Sequence, residues 1–522
     1  MVDHLKSYFP YPKYREYQRE TIISVIKAFA NGYDNVVLEA PTGSGKSVIA
    51  MTVGAAFGSM YYLTIQKILQ EQLMKDFGGD HGNLVDLRGR NAYRCWLDGQ
   101  MNPDSEYKVY AHRGRCARAG KSKLPQCAGK CFYYKQIALC DNAPYSLFNF
   151  SSFLFQRTMA KRFTDTRKLL VIDECHQVES QIMDFVETRI NGNDFDIKIP
   201  EFDTTEQYMA YFDAVELSNK ILEKLNQFNG MTELSSDDIR EKEKWESISS
   251  RYYALRNYAR KIDCVPELSD NIVKIKPLRS HYHAPKLLFN AGEKRLLMSA
   301  TVLNHKVYAS SIGLDLSKTK YIRLPSTFPT KNRPIILDYA GSMKFANRKS
   351  TMPSMIDKIN SIMEQHHAHK GIIHTQSFQI MYDIIDGLKE QNAQRIIHQR
   401  MYPRREDLID VHARSNNTVI IAPAMHEGLD LKDDLSRFQV IVKVPYADTS
   451  RNKQLQIRTK ESWGYYLWLA ALKLCQSYGR SIRSESDWAT TYILDSDFDK
   501  FFNQCDSMRL LPDWFISAIQ ID

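Results

Sequence analysis

A short apolar run at residues 35–40 (NVVLEA) passes straight into PTGSGKS and then into VIAMTVGAAF. The run has the length and composition of a buried parallel strand, and the stretch after the glycines is helix-compatible. A strand that ends in a glycine-rich turn and restarts as a helix calls for a parallel sheet covered by helices. Similar short apolar runs recur at 168–173 (KLLVID), 295–300 (RLLMSA), 371–374 (GIIH), 418–422 (TVIIA) and 440–444 (VIVKV), with longer mixed segments between them. The predicted fold class is therefore α/β with parallel sheets.

These strands are spread over 522 residues, more than one core serves, so three or four domains are expected. Two stretches break the α/β rhythm. Residues 86–131 are rich in Arg, Lys, Gly and Cys, and residues 177–289 are long, charged and helix-leaning. Both read as insertions into a first α/β domain made of 1–85, 132–176 and 290–325. A composition change at 325–334 (PSTFPTKNRP) marks a linker to a second α/β domain over 326–522. No apolar run approaches the 18 residues of a membrane span. The opening MVDHLKSYFPYPKYRE has no basic region followed by an apolar one. A cytoplasmic, reducing setting is expected, in a bacterial or virus-infected cell, with no membrane partner. There, cysteines serve as ligands or core residues rather than disulfides.

The segment Ala40-Pro41-Thr42-Gly43-Ser44-Gly45-Lys46-Ser47 fits a phosphate-binding loop, with Ala40 where the pattern has its first glycine. Gly43 and Gly45 let successive backbone N–H groups turn inward, and the helix that follows adds its positive end. Thr42, Gly43, Ser44, Gly45, Lys46 and Ser47 are thus the expected nucleotide contacts. Lys46 reaches the β- and γ-phosphates and the Ser47 hydroxyl ligates Mg²⁺. Asp173 and Glu174 end the KLLVID run. Asp173 is placed to hold Mg²⁺ and Glu174 to orient and deprotonate an attacking water. An exposed acidic turn is the competing reading of such a pair, and the phosphate loop weighs against it.

PTGSGKS followed by Asp173-Glu174-Cys175-His176 resembles motifs I and II of superfamily 2 helicases. Ser299-Ala300-Thr301 is similar to motif III, residues 426–430 (HEGLD) to motif V, and residues 476–483 (QSYGRSIR) to motif VI. The resemblance implies that Arg480 and Arg483 act as arginine fingers, stabilising charge on the transferring phosphoryl group. Their spacing would put them on one side of a helix. Gln476 and Asp430 become nucleotide contacts, and His176 a link between motifs II and III. FPYPKYREYQ resembles the adenine-side Q motif, with Gln18 reading the base edge and Arg15 second to it. An amphipathic N-terminal helix is the competing reading there.

Between motifs I and II lie Cys95, Cys116, Cys127 and Cys131. The single close pair leaves zinc and an iron–sulfur cluster open on spacing alone. LRGRNAYRC and CFYY resemble the segments flanking the cluster of the XPD/DinG family of iron–sulfur helicases. That resemblance implies a 4Fe-4S cluster on these four cysteines, with Cys140 an alternative to Cys131. It also implies two RecA-like motor domains, the first carrying a cluster domain (86–131) and a helical arch (177–289).

The chain carries a net charge of +9, and residues 86–131 hold ten Lys or Arg against four acids. Tyr93, Trp96 and Tyr110 are interleaved among them. Basic groups track phosphates and aromatic faces stack on unpaired bases. Tyr93 is therefore a candidate DNA contact. Thr64 falls at the family's motif Ia, and Thr375 and Ser377 at motif IV. Capping or turn roles compete at these three positions.

The function expected is that of an ATP- and Mg²⁺-dependent DNA helicase, a monomeric motor on single-stranded and forked or tailed duplex DNA. The family resemblance implies 5′→3′ polarity. The alternatives are a translocase that remodels protein–nucleic acid complexes, a DEAH-type RNA helicase, and a non-motor zinc module.

Overall fold

The structure is a computed structural model. It describes residues 4–79, 83–101, 109–121, 123–423, 431, 433–450, 452–482 and 486–520. Two predicted site residues, Asp430 and Arg483, and the whole 426–430 motif lie outside the described residues.

The first half of the chain supplies β1 (Asn35–Glu39), β2 (Met60–Thr64), β3 (Leu84–Leu87), β4 (Tyr145–Asn149) and β5 (Arg167–Asp173). Three strands follow inside the second insertion: β6 (Thr188–Asn191), β7 (Cys264–Ser269) and β8 (Ile272–Pro277). The first domain then resumes with β9 (Gly292–Ser299) and β10 (Thr319–Arg323). The second domain contains β11 (Ile335–Gly341), β12 (Gly371–His374), β13 (Ile396–Ile397), β14 (Val419–Ala422), β15 (Phe438–Ile441) and β16 (Thr490–Asp495).

The first sheet is entirely parallel, in the order β10-β1-β9-β5-β2-β4-β3. β1 and β2 are buried along their whole length, which is why they read as unbroken apolar runs. Alternate residues feed separate cores: Val37 joins one, Val36 and Leu38 the other. Register sets the site. Glu39 pairs with Ser299 and Asp173 with Met298. The C-terminal ends of β1, β5 and β9 therefore lie level on one rim.

The second sheet is also wholly parallel, ordered β11-β16-β15-β12-β14-β13. The helix Trp463–Tyr478 buries one face against the first domain, where the Trp468 indole Nε1 donates to the Val302 carbonyl at 2.9 Å. Glu179, just beyond the DECH segment, accepts from Arg458 and, at 3.0 Å, from the Tyr465 hydroxyl.

The second insertion is less purely helical than its composition predicts. Helices Thr205–Ala214, Leu217–Asn226 and Ser236–Tyr258 surround an antiparallel sheet ordered β6-β8-β7. Capping boxes at Thr204/Gln207 and Ser235/Asp238 start two of these helices. Among its described residues the first insertion has only short helical turns before the helix Phe132–Asn142. It touches the second insertion where the Lys242 ammonium donates to the Gly120 carbonyl at 3.1 Å.

Candidate nucleotide site and cysteine cradle

Gly43 and Gly45 both have left-handed backbones, with φ of +83° and +79°. A Cβ on Gly45 would also stand 2.3 Å from the Gln18 side-chain nitrogen. Two constraints therefore select glycine there. The helix Lys46–Phe57 starts directly after it. The Lys46 ammonium donates to the Ala40 carbonyl at 3.1 Å. Lys46 is thus held over its own loop, at the mouth of the cradle.

Asp173 is buried at the end of β5. Its Oδ2 accepts from the Tyr62 hydroxyl at 3.0 Å and its Oδ1 from the Glu174 backbone N–H at 2.9 Å. Burial, then repulsion from Glu174, pushes its pKa up to about 6, against the pull of Lys46 and Tyr62. A divalent cation would offset that burial cost. Tyr62 also contacts the Ser47 side chain, so the two predicted Mg²⁺ ligands share one hydroxyl. Nothing in the sequence singled out Tyr62; it reaches the site because β2 lies beside β5.

Glu174 adopts a left-handed backbone, φ 52°. Its carboxylate lies 3.4 Å from His176 Nδ1, which is 2.8 Å from Ser299 Oγ. The Ser299 hydroxyl also accepts from the Thr301 N–H at 3.1 Å. The DECH and SAT segments are thereby in direct contact.

A cavity of about 850 Å³ lies between the two domains and is lined by Thr42, Gly43, Glu174, Thr301, Gln476 and Arg480 among others. The geometry corrects one expectation. The helix ends at Tyr478, so Arg480 does not ride a helical face; Arg483 lies outside the described residues. Arg480 projects from the turn after Gly479. A smaller hollow of about 290 Å³ adjoins the loop between Tyr17, residues 41–44 and Leu324.

Gln18 is buried under the loop. Its Oε1 accepts from the Arg15 N–H at 3.1 Å and its Nε2 donates to the Gly45 carbonyl at 3.4 Å. Both ends of the amide are occupied as loop support. Arg15 donates to the Gly43 carbonyl and lines both cavities. Glu39 is a second residue the sequence did not flag. This buried carboxylate accepts from Tyr321, from Arg323 at 3.3 Å and from the Leu303 N–H at 3.0 Å. It ties the phosphate-loop strand to the segment after Ser299.

Cys95, Cys116, Cys127 and Cys131 are all buried, and all nine cysteines are unpaired thiols. Their polar, basic sequence surroundings do not translate into exposure, since Cys127 and Cys131 join the largest apolar core. Arg90 Nη2 lies 2.7 Å from Cys116 Sγ. Burial, and the charges of Cys116 and Cys131, raise the Cys127 thiol. Gly114 backs Cys95 so closely that a Cβ would stand 2.6 Å from its sulfur. Among the described residues no three Cys, His, Asp or Glu side chains close on one ion position. Cys140 is set apart: burial pushes its thiol up to about 12, and it faces the Val85 carbonyl.

Part of the basic charge of this insertion is spent internally. Asp98 pairs with Arg115 and Arg118, and Arg88 with Asp86. Lys130 stacks 4.8 Å above the Trp96 ring. Of the candidate strand contacts, Thr64 and Thr375 are fully buried. Ser377 caps the helix Phe378–Gly387, and the Tyr93 hydroxyl accepts from the Arg88 N–H at 3.0 Å.

Among the described residues no helix is long and apolar enough to cross a membrane.

Two family models match the chain. The helicase C-terminal domain matches residues 359–515, and the res subunit of type III restriction enzymes matches residues 11–217. A probable ATP-dependent helicase of Methanocaldococcus jannaschii is 22% identical, over 95% of this chain and 93% of that protein. The ATP-dependent DNA helicase DinG of Photobacterium profundum is 26% identical, over 43% of this chain and 35% of its own length. A solved XPD helicase superposes with a TM-score of 0.64 at 17% identity, covering 96% of this chain and 99% of that one. The Xpd4 structure of S. tokodaii gives 0.58 at 14% identity, covering 97% and 100%. These two likenesses are likenesses of fold.

Proposed function

We propose that this chain, an ATP-dependent helicase belonging to the XPD/DinG family, moves 5′→3′ along single-stranded DNA and unwinds duplex ahead of it. The observation that carries this reading is the interdomain cavity. It gathers the phosphate loop, Glu174 and Arg480 from two parallel-sheet domains around one space.

In the mechanism this supports, the N–H groups of residues 43–47 cradle the ATP phosphates and Lys46 leaves its loop carbonyls to meet them. Mg²⁺, when bound by Ser47 and Asp173, supplies charge neutralisation at the phosphates. Glu174 orients the attacking water and accepts its proton. Arg480, brought by the second domain, stabilises the charge that builds on the transferring phosphoryl group. Because the residues come from both domains, hydrolysis favours a closed cleft and product release an open one. Repeated closure moves the strand. One chain contains the whole cleft, so a monomer suffices.

The four buried cysteines are read as the ligands of an iron–sulfur cluster, on the resemblance of the segments around Cys95 and Cys131 to those that flank the family's cluster. Arg90 stands beside Cys116, 2.7 Å from its sulfur, where a cation would sit next to a bound thiolate. Cys95, Cys116, Cys127 and Cys131 would hold the cluster, which supplies a rigid cross-link among segments with little helix or strand of their own. The strand would then pass between this insertion and the second one, where the two touch.

The deciding experiment compares unwinding of 5′-tailed and 3′-tailed DNA duplexes and of tailed RNA duplexes. ATP-dependent opening of the 5′-tailed DNA is expected. Opening of 3′-tailed DNA alone overturns the polarity, and activity on RNA alone overturns the substrate.

A further inference from the structure

The most exposed large apolar side chain among the described residues is Phe345, at 86% exposure. It stands at the tip of a tight turn, closed by the Asn347 N–H donating to the Lys344 carbonyl at 3.0 Å. The turn joins β11 to the helix Arg348–Gln365. It is held firmly. Met343 N–H donates to Asp495 at 3.0 Å, and Ser342 and Lys344 both hold Asp497, at 2.7 and 2.6 Å. The Thr351 hydroxyl donates back to the Ser342 carbonyl at 2.9 Å.

A braced turn that keeps a phenyl ring in water, with no apolar neighbour to cover it, has an uncompensated apolar surface. The flanking residues state what chemistry would cover it. Lys344 precedes the ring, Arg348 has its guanidinium 5.6 Å from the ring centroid, and Lys349 follows. A protein-docking hot spot sits in a well-packed patch whose surrounding contacts exclude water. Here Arg348 stands over the ring and Lys349 comes next along the helix, which suits a polyanion with flat aromatic faces.

The turn also lies on a suitable rim. β11 and β12 run parallel, so the loops after Gly341 and after His374 leave the same edge of the sheet. Two strands, β16 and β15, separate them, which places the loops about 14 Å apart at ordinary strand spacing.

We infer that Phe345 is a base-stacking platform for single-stranded nucleic acid on the second domain, with Arg348 and Lys349 reaching the adjoining phosphates. Stacking on an exposed ring is sequence-tolerant, as a motor that must step along any sequence requires. The fixed turn means that little ordering remains to be done on binding. This inference rests on the proposed function as a nucleic-acid motor.

The test uses full-length protein, labelled oligothymidine and oligouridine, and the variants Phe345→Ala and Phe345→Trp. Phe345→Ala should weaken oligothymidine binding about tenfold and raise the DNA concentration for half-maximal ATPase stimulation by a similar factor. Phe345→Trp should bind like wild type. ATPase without DNA and thermal melting should be unchanged in both. Wild-type affinity in Phe345→Ala overturns the inference while leaving the motor reading intact, and a protein contact would then be the remaining role for the ring. Loss of oligouridine binding alone relocates the substrate to RNA and keeps the platform. A wild-type protein that binds neither oligomer overturns both.

Discussion

His176 Nδ1 lies 2.8 Å from the Ser299 hydroxyl, joining the DECH segment to the rim of β9. The same nitrogen is 3.4 Å from the Glu174 carboxylate. A change in Glu174 on hydrolysis therefore reaches Ser299 through one ring. His176→Ala and Ser299→Ala should lower the ratio of DNA-stimulated to basal ATPase by about five- to a hundredfold, the usual span of a coupling energy between sites. Steady-state ATPase with and without single-stranded DNA measures that ratio; an unchanged ratio removes His176 from the coupling route.

Lys46→Ala and Arg480→Ala should fail differently. Both should lose turnover, Arg480→Ala by about a thousandfold, the scale of an arginine finger. Lys46 faces the cradle itself, so its loss should also weaken nucleotide binding. Arg480→Ala should keep ATP affinity within a few-fold. Equilibrium binding of a fluorescent ATP analogue beside single-turnover hydrolysis separates the two.

Tyr62→Phe removes the hydroxyl that Ser47 and Asp173 share. Support of a metal ligand of this kind carries about ten- to a hundredfold in metal affinity. The Mg²⁺ concentration for half-maximal ATPase should rise within that range, with maximal rate recovered at high Mg²⁺.

Gly114→Ala places a methyl group against Cys95, 2.6 Å from its sulfur. Neither can yield easily inside a buried cradle. Protein prepared anaerobically should contain iron and acid-labile sulfide in wild type, and less of both in Gly114→Ala and Cys116→Ser. Iron analysis checks this, and stoichiometric zinc with no iron in wild type would sink the cluster assignment. Cys140→Ser should leave the iron content unchanged.

Acid should destabilise the fold through three histidines. Burial lowers the pKa of His283, His366 and His412 to about 4 each. The unfolded chain takes up these protons near pH 6.5, so between pH 6.5 and 4 it binds more protons than the folded one. Stability is thus present above pH 6.5 and is lost as pH falls through that window. Melting temperatures across pH 4 to 8 should show the decline, and His412→Gln should flatten part of it.

The sequence was most legible where chemistry demands a local pattern. The phosphate loop and the DECH segment each need adjacent residues after a strand, and motif spacing finds them. Residues that meet through sheet order left no such trace. Tyr62 and Glu39 look like ordinary strand positions until β2 is seen beside β5 and β1 beside β9. Composition does not show pairing: in the first insertion Arg88, Arg115 and Arg118 are tied to Asp86 and Asp98. Thr64 and Thr375, placed by motif position, are small polar residues that the strand ends bury. The antiparallel strands of the second insertion were hidden because charged helices dominate its composition.

The cavity that holds the phosphate loop also needs Arg480, which is translated last among its lining groups apart from Ile482 and Trp514. A nascent chain would carry residues 41–43 for more than 400 residues of synthesis before Arg480 could join them around one space. Order along the chain thus acts as a safety catch on the cleft.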